Sequence, residues 1–151
     1  MRRRQNAQHM TTTIAAIREL QRLRKEADLS RSVALWQASK NVLEDVREDR
    51  ERLAVNWQQS IDRDVLSPEL TALWAGELRR NELRILRAAI NADHANAARQ
   101  LSALTLNTAT AHRDAAEDAA RKARRRNDEE KEEARLQHVT DGYARRKRGV
   151  L

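Results

Sequence analysis

Ser60-Ile61-Asp62-Arg63-Asp64-Val65-Leu66-Ser67-Pro68-Glu69 is the stretch that decides how this chain folds. Ser67 carries an N-cap side chain, Pro68 stands where a first helical residue loses nothing by lacking its N–H, and Glu69 meets the positive end of the helix dipole. Pro68 is the only proline in 151 residues, so this is the one strong break in the chain. A turn is expected at about residues 61–67. One helix is expected from about residue 11 to 60 and a second from 68 to about 141, before Gly142. A basic tail, residues 142–151, follows.

Outward from the break, the composition agrees. Charged residues make up 35% and aromatics 3%, and Gly is only 3, too few for a turn-rich β fold. High Ala, Arg, Glu and Leu with few breakers points to an all-α fold. Two helices joined by a short turn lie antiparallel, so the expected architecture is a long two-helix coiled-coil hairpin forming a single domain over residues 1–151. With the turn centred near residue 65, Trp57 should meet Trp74. Trp36 should lie near His94, and Arg2–Arg4 beside Asp128-Glu129-Glu130.

Two apolar stripes are expected to form the seam. On the second helix Leu83, Ile90, Ala97, Leu104 and Ala111 recur every seven residues, with Leu101, Thr108 and Ala115 as companions. On the first the stripe is Leu20, Leu23, Ala27, Ala34, Ala38, Val42, Val46, Leu53 and Trp57. His94 falls on the seam. Gly76 breaks the helical preference of its tract, which suggests a close approach of the facing helix. Pairs such as Glu48–Arg52, Glu117–Arg121 and Asp118–Lys122 are spaced to form i,i+4 ion pairs on the outer faces.

The net charge of +7 is uneven. Residues 1–60 hold 12 Lys/Arg and 8 Asp/Glu, residues 61–110 hold 6 and 6, and residues 111–151 hold 12 and 9. A hairpin brings the first and last segments together, so the excess positive charge is expected at the terminal end. Its clusters are Arg2–Arg4, Arg121-Lys122-Ala123-Arg124-Arg125-Arg126 and Arg145-Arg146-Lys147-Arg148. Such an end would attract an acidic partner.

The residues that carry chemistry are missing or scattered. With no Cys there is no thiolate metal site and no cysteine nucleophile. His9, His94, His112 and His138 are too far apart for an i,i+4 metal pair, and no glycine-rich phosphate loop is present. The reading is of a non-enzyme, with no catalytic residue, no cofactor and no metal. No run of 18 apolar residues exists to span a membrane, and no apolar region follows Met1-Arg2-Arg3-Arg4 as in a cleavable signal.

Ile14-Ala15-Ala16-Ile17-Arg18-Glu19-Leu20-Gln21-Arg22-Leu23-Arg24-Lys25-Glu26-Ala27, the single mid-chain break and the basic ending Asp141-Gly142-Tyr143-Ala144-Arg145-Arg146-Lys147-Arg148 together resemble the FliJ/YscO family. These are small coiled-coil stalk proteins of bacterial type III export, flagellar or injectisome. The resemblance implies a cytoplasmic, non-enzymatic stalk held at the inner face of the membrane by its partners. It implies insertion of the terminal end into a hexameric export ATPase and contact with the cytoplasmic domain of the export gate, with secretion chaperones as further partners. On this chain the implied ATPase-binding residues are Arg18, Arg22, Arg24, Arg124, Arg125, Arg145 and Arg146. The implied gate-binding residues are Trp74, Leu78, Asn81 and Ile85, whose spacing also suits the seam that closes the hairpin. The competing reading is a basic coiled-coil nucleic-acid-binding or scaffold protein. It draws on a pI of about 10.7, but only Tyr143 lies near a basic cluster to stack on bases.

Overall fold

The computed structural model describes the backbone of residues 2–63 and 67–148, and the side chains of residues 6–63 and 67–143. Two long helices, α1 (Arg2–Asp62) and α2 (Pro68–Arg148), pack against each other as a hairpin, the expected all-α fold. The start of α2 forms as Ser67-Pro68-Glu69 suggested. The Leu70 N–H donates to Ser67 Oγ at 3.1 Å, and the Thr71 N–H and hydroxyl both donate to the Ser67 carbonyl at 3.0 Å. Glu69's own backbone N–H, followed by the Ser67 hydroxyl, holds the Glu69 carboxyl below the ordinary glutamate value. The middle of the turn, Asp64, Val65 and Leu66, lies outside the described residues.

Both helices are longer than expected. α1 already begins at Arg2, because nothing between Arg2 and Thr11 is a breaker. The Thr11, Thr12 and Thr13 hydroxyls donate to the carbonyls of Gln8, Gln8 and His9, so these β-branched polar residues are held within the helix. α2 runs through Gly142 to Arg148, so residues 142–148 are helix rather than tail. A lone glycine costs about 1 kcal/mol against alanine, which the Ala, Arg and Lys that follow can offset.

The packing divides into two units, one of Met1–Lys25 with Leu106–Leu151 and one of Glu26–Thr105. In the Glu26–Thr105 unit the inner residues of α1 include Leu29, Ser32, Trp36, Ser39, Leu43, Val46, Leu53 and Trp57, at alternating three- and four-residue steps or their multiples. Those of α2 are Trp74, Leu78, Asn81, Ile85, Ala88, Ala92, Ala95, Arg99 and Ser102, at strict four–three steps. Val46, Ala88, Ala92 and Asn81 are buried. In the middle of the unit the large inner residues of α1, Trp36, Leu43 and Val46, lie against the small Ala88, Ala92 and Ala95 of α2, which lets the backbones approach and fills the space between them. Ser32 and Ser102 share a hydrogen bond of 2.9 Å, and Trp57 meets Trp74 at 5.9 Å between ring centroids, as the turn position required.

The stripes read from the sequence are not this seam. Leu83, Ile90, Leu101 and Leu104 of α2 are exposed, and so are Ala97, Thr108, Ala111 and Ala115. On α1, Leu20, Leu23, Ala27, Ala34, Ala38 and Val42 are exposed, whereas Val46, Leu53 and Trp57 do face inward. Each helix carries a second apolar stripe that is exposed, and between Ala88 and Ala95 of α2 the inner register belongs to the smaller residues. His94 is accordingly exposed, and Trp36 meets Arg99 instead. Gly76 marks no close approach, since a Cβ there would meet only Arg80 Nη2, at 4.0 Å and on its own helix.

In the Met1–Lys25 and Leu106–Leu151 unit the seam is almost wholly small or polar. Gln8, Thr11, Ala15, Arg18, Glu19 and Arg22 of α1 turn inward, as do Ala109, Arg113, Ala116, Ala120, Ala123 and Asn127 of α2. Asn127 Nδ2 donates to Gln8 Oε1 across the pair. Met10, Ile14, Ile17 and Leu20 are exposed on the outer side of α1. The side chains of Arg2–Arg4 lie outside the described residues, so their expected place beside Asp128-Glu129-Glu130 does too.

Candidate interaction surfaces

The terminal unit holds the excess positive charge, and its ionic order starts at Glu19. Arg22 donates to both Glu19 carboxylate oxygens, from Nε at 3.0 Å and from Nη2 at 2.9 Å. Arg113 of α2 reaches across to Glu19 Oε2 at 3.6 Å and also meets Asp114 Oδ1 at 3.1 Å and Glu117 Oε1 at 3.3 Å. Its Nε is buried without an aligned acceptor, so those contacts at Nε are ionic rather than directional. The hydrogen bond from Arg22 outweighs the opposing effect of desolvation, and the charges of Arg22 and Arg113 add to it, so the Glu19 carboxyl is held below the ordinary glutamate value. Charged groups here perform the joining that apolar side chains perform elsewhere.

This order decides which of the ATPase-binding candidates are available. Arg22 is committed to Glu19, and its side chain is only 21% exposed. Arg18 is half-buried and donates to Gln21 Oε1 at 2.9 Å. Both share the partly buried face of α1 with Thr11 and Ala15, so each keeps only part of its surface open to a partner. Arg24, Arg124 and Arg125 are exposed. Arg145 and Arg146 lie on the last turns of α2, and their side chains fall outside the described residues.

The candidates do not converge on one spot. Cross-pair contacts put Glu19 opposite Arg113 and Gln8 opposite Asn127. Arg24 therefore sits well along α1 from Arg124 and Arg125, roughly 20 Å away at 1.5 Å per residue. The surface is two basic patches, of which the one on α2 is the denser. In that patch Arg121 is held by Asp118 at 2.7 Å, while Arg124, Arg125 and Arg126 are all exposed.

The four gate-binding candidates share one helical face, as their spacing required, and α1 covers that face. Asn81 is 2% exposed, and Trp74, Leu78 and Ile85 are half-buried. Trp74 Nε1 and both amide atoms of Asn81 are buried without a hydrogen-bond partner. These residues close the seam. Trp74, Leu78 and Ile85 each keep part of their surface exposed beside the seam.

Two features escaped the sequence reading. One is the stack of cations on Trp36, with Arg99 at 4.6 Å and Lys40 at 5.0 Å from the ring centroid. The i,i+4 spacing of Trp36 and Lys40 was the available signal for half of it. The other is the choice of ion-pair partners. Glu48–Arg52 forms at 3.6 Å as expected, but Arg121 takes Asp118, and Glu117 takes Arg113. Among the described residues no helix is long and apolar enough to cross a membrane, and no three metal-ligating side chains cluster. No protein-family model matches the chain, and no curated protein or solved structure is significantly similar to it.

Proposed function

We propose that this chain is a non-enzymatic stalk or adaptor of a bacterial type III protein export apparatus, which engages the ring of the export ATPase through its terminal unit. The observation that carries this reading is a two-helix terminal unit packed closely through small and polar residues, with guanidinium groups on its surface at Arg24, Arg124 and Arg125. A pair of helices held that closely is about 20 Å across, which suits the central pore of a hexameric ring. Positive charge on it speeds the encounter with an acidic pore and is screened by salt. The resemblance of residues 14–27 and 141–148 to the FliJ/YscO family supports the same reading. It also supplies the cytoplasmic location, the attachment at the membrane through partners, and the gate and chaperone contacts.

The test is ATP hydrolysis by the export ATPase from the same organism, with and without this protein, at low and moderate salt. Stimulation is expected, weakened when Arg124, Arg125, Arg145 and Arg146 are replaced by Ala and unchanged for Arg22→Lys. Absence of any effect, together with binding to duplex DNA that falls steeply with salt, would favour the nucleic-acid reading, for which the exposed run Arg124–Arg126 is the supporting feature.

A further inference from the structure

We infer that the outward face of α2 in the Glu26–Thr105 unit docks an acidic amphipathic helix from another protein. Leu83, Arg87, Ile90, His94, Ala97 and Leu101 follow one another at four- and three-residue steps, and all are exposed. This stripe has the same period as the inner seam and lies on the opposite side of α2. Apolar knobs at that spacing fit the holes of another helix, not a flat surface or a small molecule. Burying one Leu or Ile is worth about 1.5–3 kcal/mol, so three of them left open are a sizeable binding resource.

Charge decides which helix fits. Arg87 stands within the stripe, and no carboxylate lies within ion-pair distance of it among the described residues. Around it, residues 79–87 contain four Arg and a single Glu. Arg80 and Arg84 are already satisfied, by Glu77 and by Asp49 at 3.5 Å. A helix closing over the stripe takes Arg87 out of water, which is favourable only if it brings a carboxylate to that point. His94, seven residues on, offers a second polar position that a carboxylate also suits.

A second copy of this chain pairing through the same stripe does not meet that need. Parallel pairing of two stripes sets Arg87 on Arg87. Antiparallel pairing with the stripes overlapped sets it against Ala97 or Leu104 of the other copy. Either arrangement buries the guanidinium without a counter-charge. The occupant is therefore a different chain, with Leu-like residues in heptad positions and acids spaced seven apart among them. This face belongs to the Glu26–Thr105 unit, and the inference is independent of the export reading.

The test uses the full chain and two fluorescein-labelled synthetic helices of about four heptads. Both carry Leu at the seam positions. One has Glu at the two positions opposite Arg87 and His94, and the other has Lys. Fluorescence anisotropy should show the Glu helix binding at least about tenfold more tightly. Arg87→Glu should reverse the order, and Leu101→Asp should abolish binding while circular dichroism shows the helices intact. Equal binding of the two helices, or no binding of the Glu helix, would overturn the inference. So would sedimentation of the free chain as a dimer that Leu101→Asp dissociates, because a second copy would then cover this face.

Discussion

The guanidinium of Arg99 on α2 lies over the indole of Trp36 on α1, 4.6 Å from the ring centroid. Arg99 is held from below by Asn96 Oδ1, at 3.1 Å from Nε and 3.0 Å from Nη2, so the cation arrives at the ring already oriented. Arg99→Met keeps the length of the side chain and removes the charge. It should lower stability by about 1 kcal/mol, within the range for a partly desolvated cation–π contact. Trp36→Ala should cost more, because packing goes with it. Urea unfolding followed by circular dichroism measures both, and an Arg99→Met variant as stable as the parent would reduce this contact to a coincidence of packing.

Asn81 is the most deeply buried polar side chain described, and neither end of its amide finds a partner. Leaving a buried polar group unsatisfied costs about 1–3 kcal/mol. Asn81→Leu should therefore stabilise the hairpin by about 1 kcal/mol or more and raise its melting temperature. A lower melting temperature would mean that the amide is satisfied, for instance by water, in solution.

Glu19 makes one end of the chain sensitive to acid. Its carboxyl is held low, by Arg22 first and then by Arg113, so the folded form keeps its proton off more strongly than the unfolded chain does. The stabilisation is present above the ordinary glutamate value and is lost as pH falls through the lowered one. Glu19→Gln should unfold at lower urea than the parent at neutral pH, and the gap should close in acid. A gap that is constant with pH would mean that the ion pairs contribute nothing.

Gly76 occupies an ordinary helical position with room for a methyl group, since only Arg80 Nη2 comes within 4.0 Å of where the Cβ would stand. Gly76→Ala should stabilise by up to about 1 kcal/mol, from helix propensity and the smaller entropy of the unfolded chain. Loss of stability there would show that the turn end needs space that the static fold does not reveal.

Ser67 and Pro68 made the fold class legible, because capping and a fixed φ are local and act wherever the residues stand. The Trp57–Trp74 pair followed from the same point, being close to the turn. The register farther out was not legible. Periodicity finds apolar stripes but cannot rank two of them on one helix. Leu83, Ile90 and Leu101 form the more hydrophobic stripe, yet Ala88, Ala92 and Ala95 form the inner one, because Trp36, Leu43 and Val46 opposite need small neighbours. The site residues divide the same way. Arg24, Arg124 and Arg125 could be read as exposed cations from charge alone. Arg18 and Arg22 could not be placed without knowing that the terminal seam is polar and takes them in.

The pairing of Met1–Lys25 with Leu106–Leu151 sets an order of events during synthesis. The first of these segments leaves the ribosome before all of Glu26–Thr105, and its mate cannot exist until that stretch has been made. At about 5–20 residues per second the wait is several seconds or longer, far longer than a helix takes to form. Met10, Ile14, Ile17 and Leu20 stay exposed even after folding, so a waiting first helix already presents them. The nascent chain thus offers an early foothold for a chaperone, whereas Trp57 and Trp74 can meet soon after both have emerged.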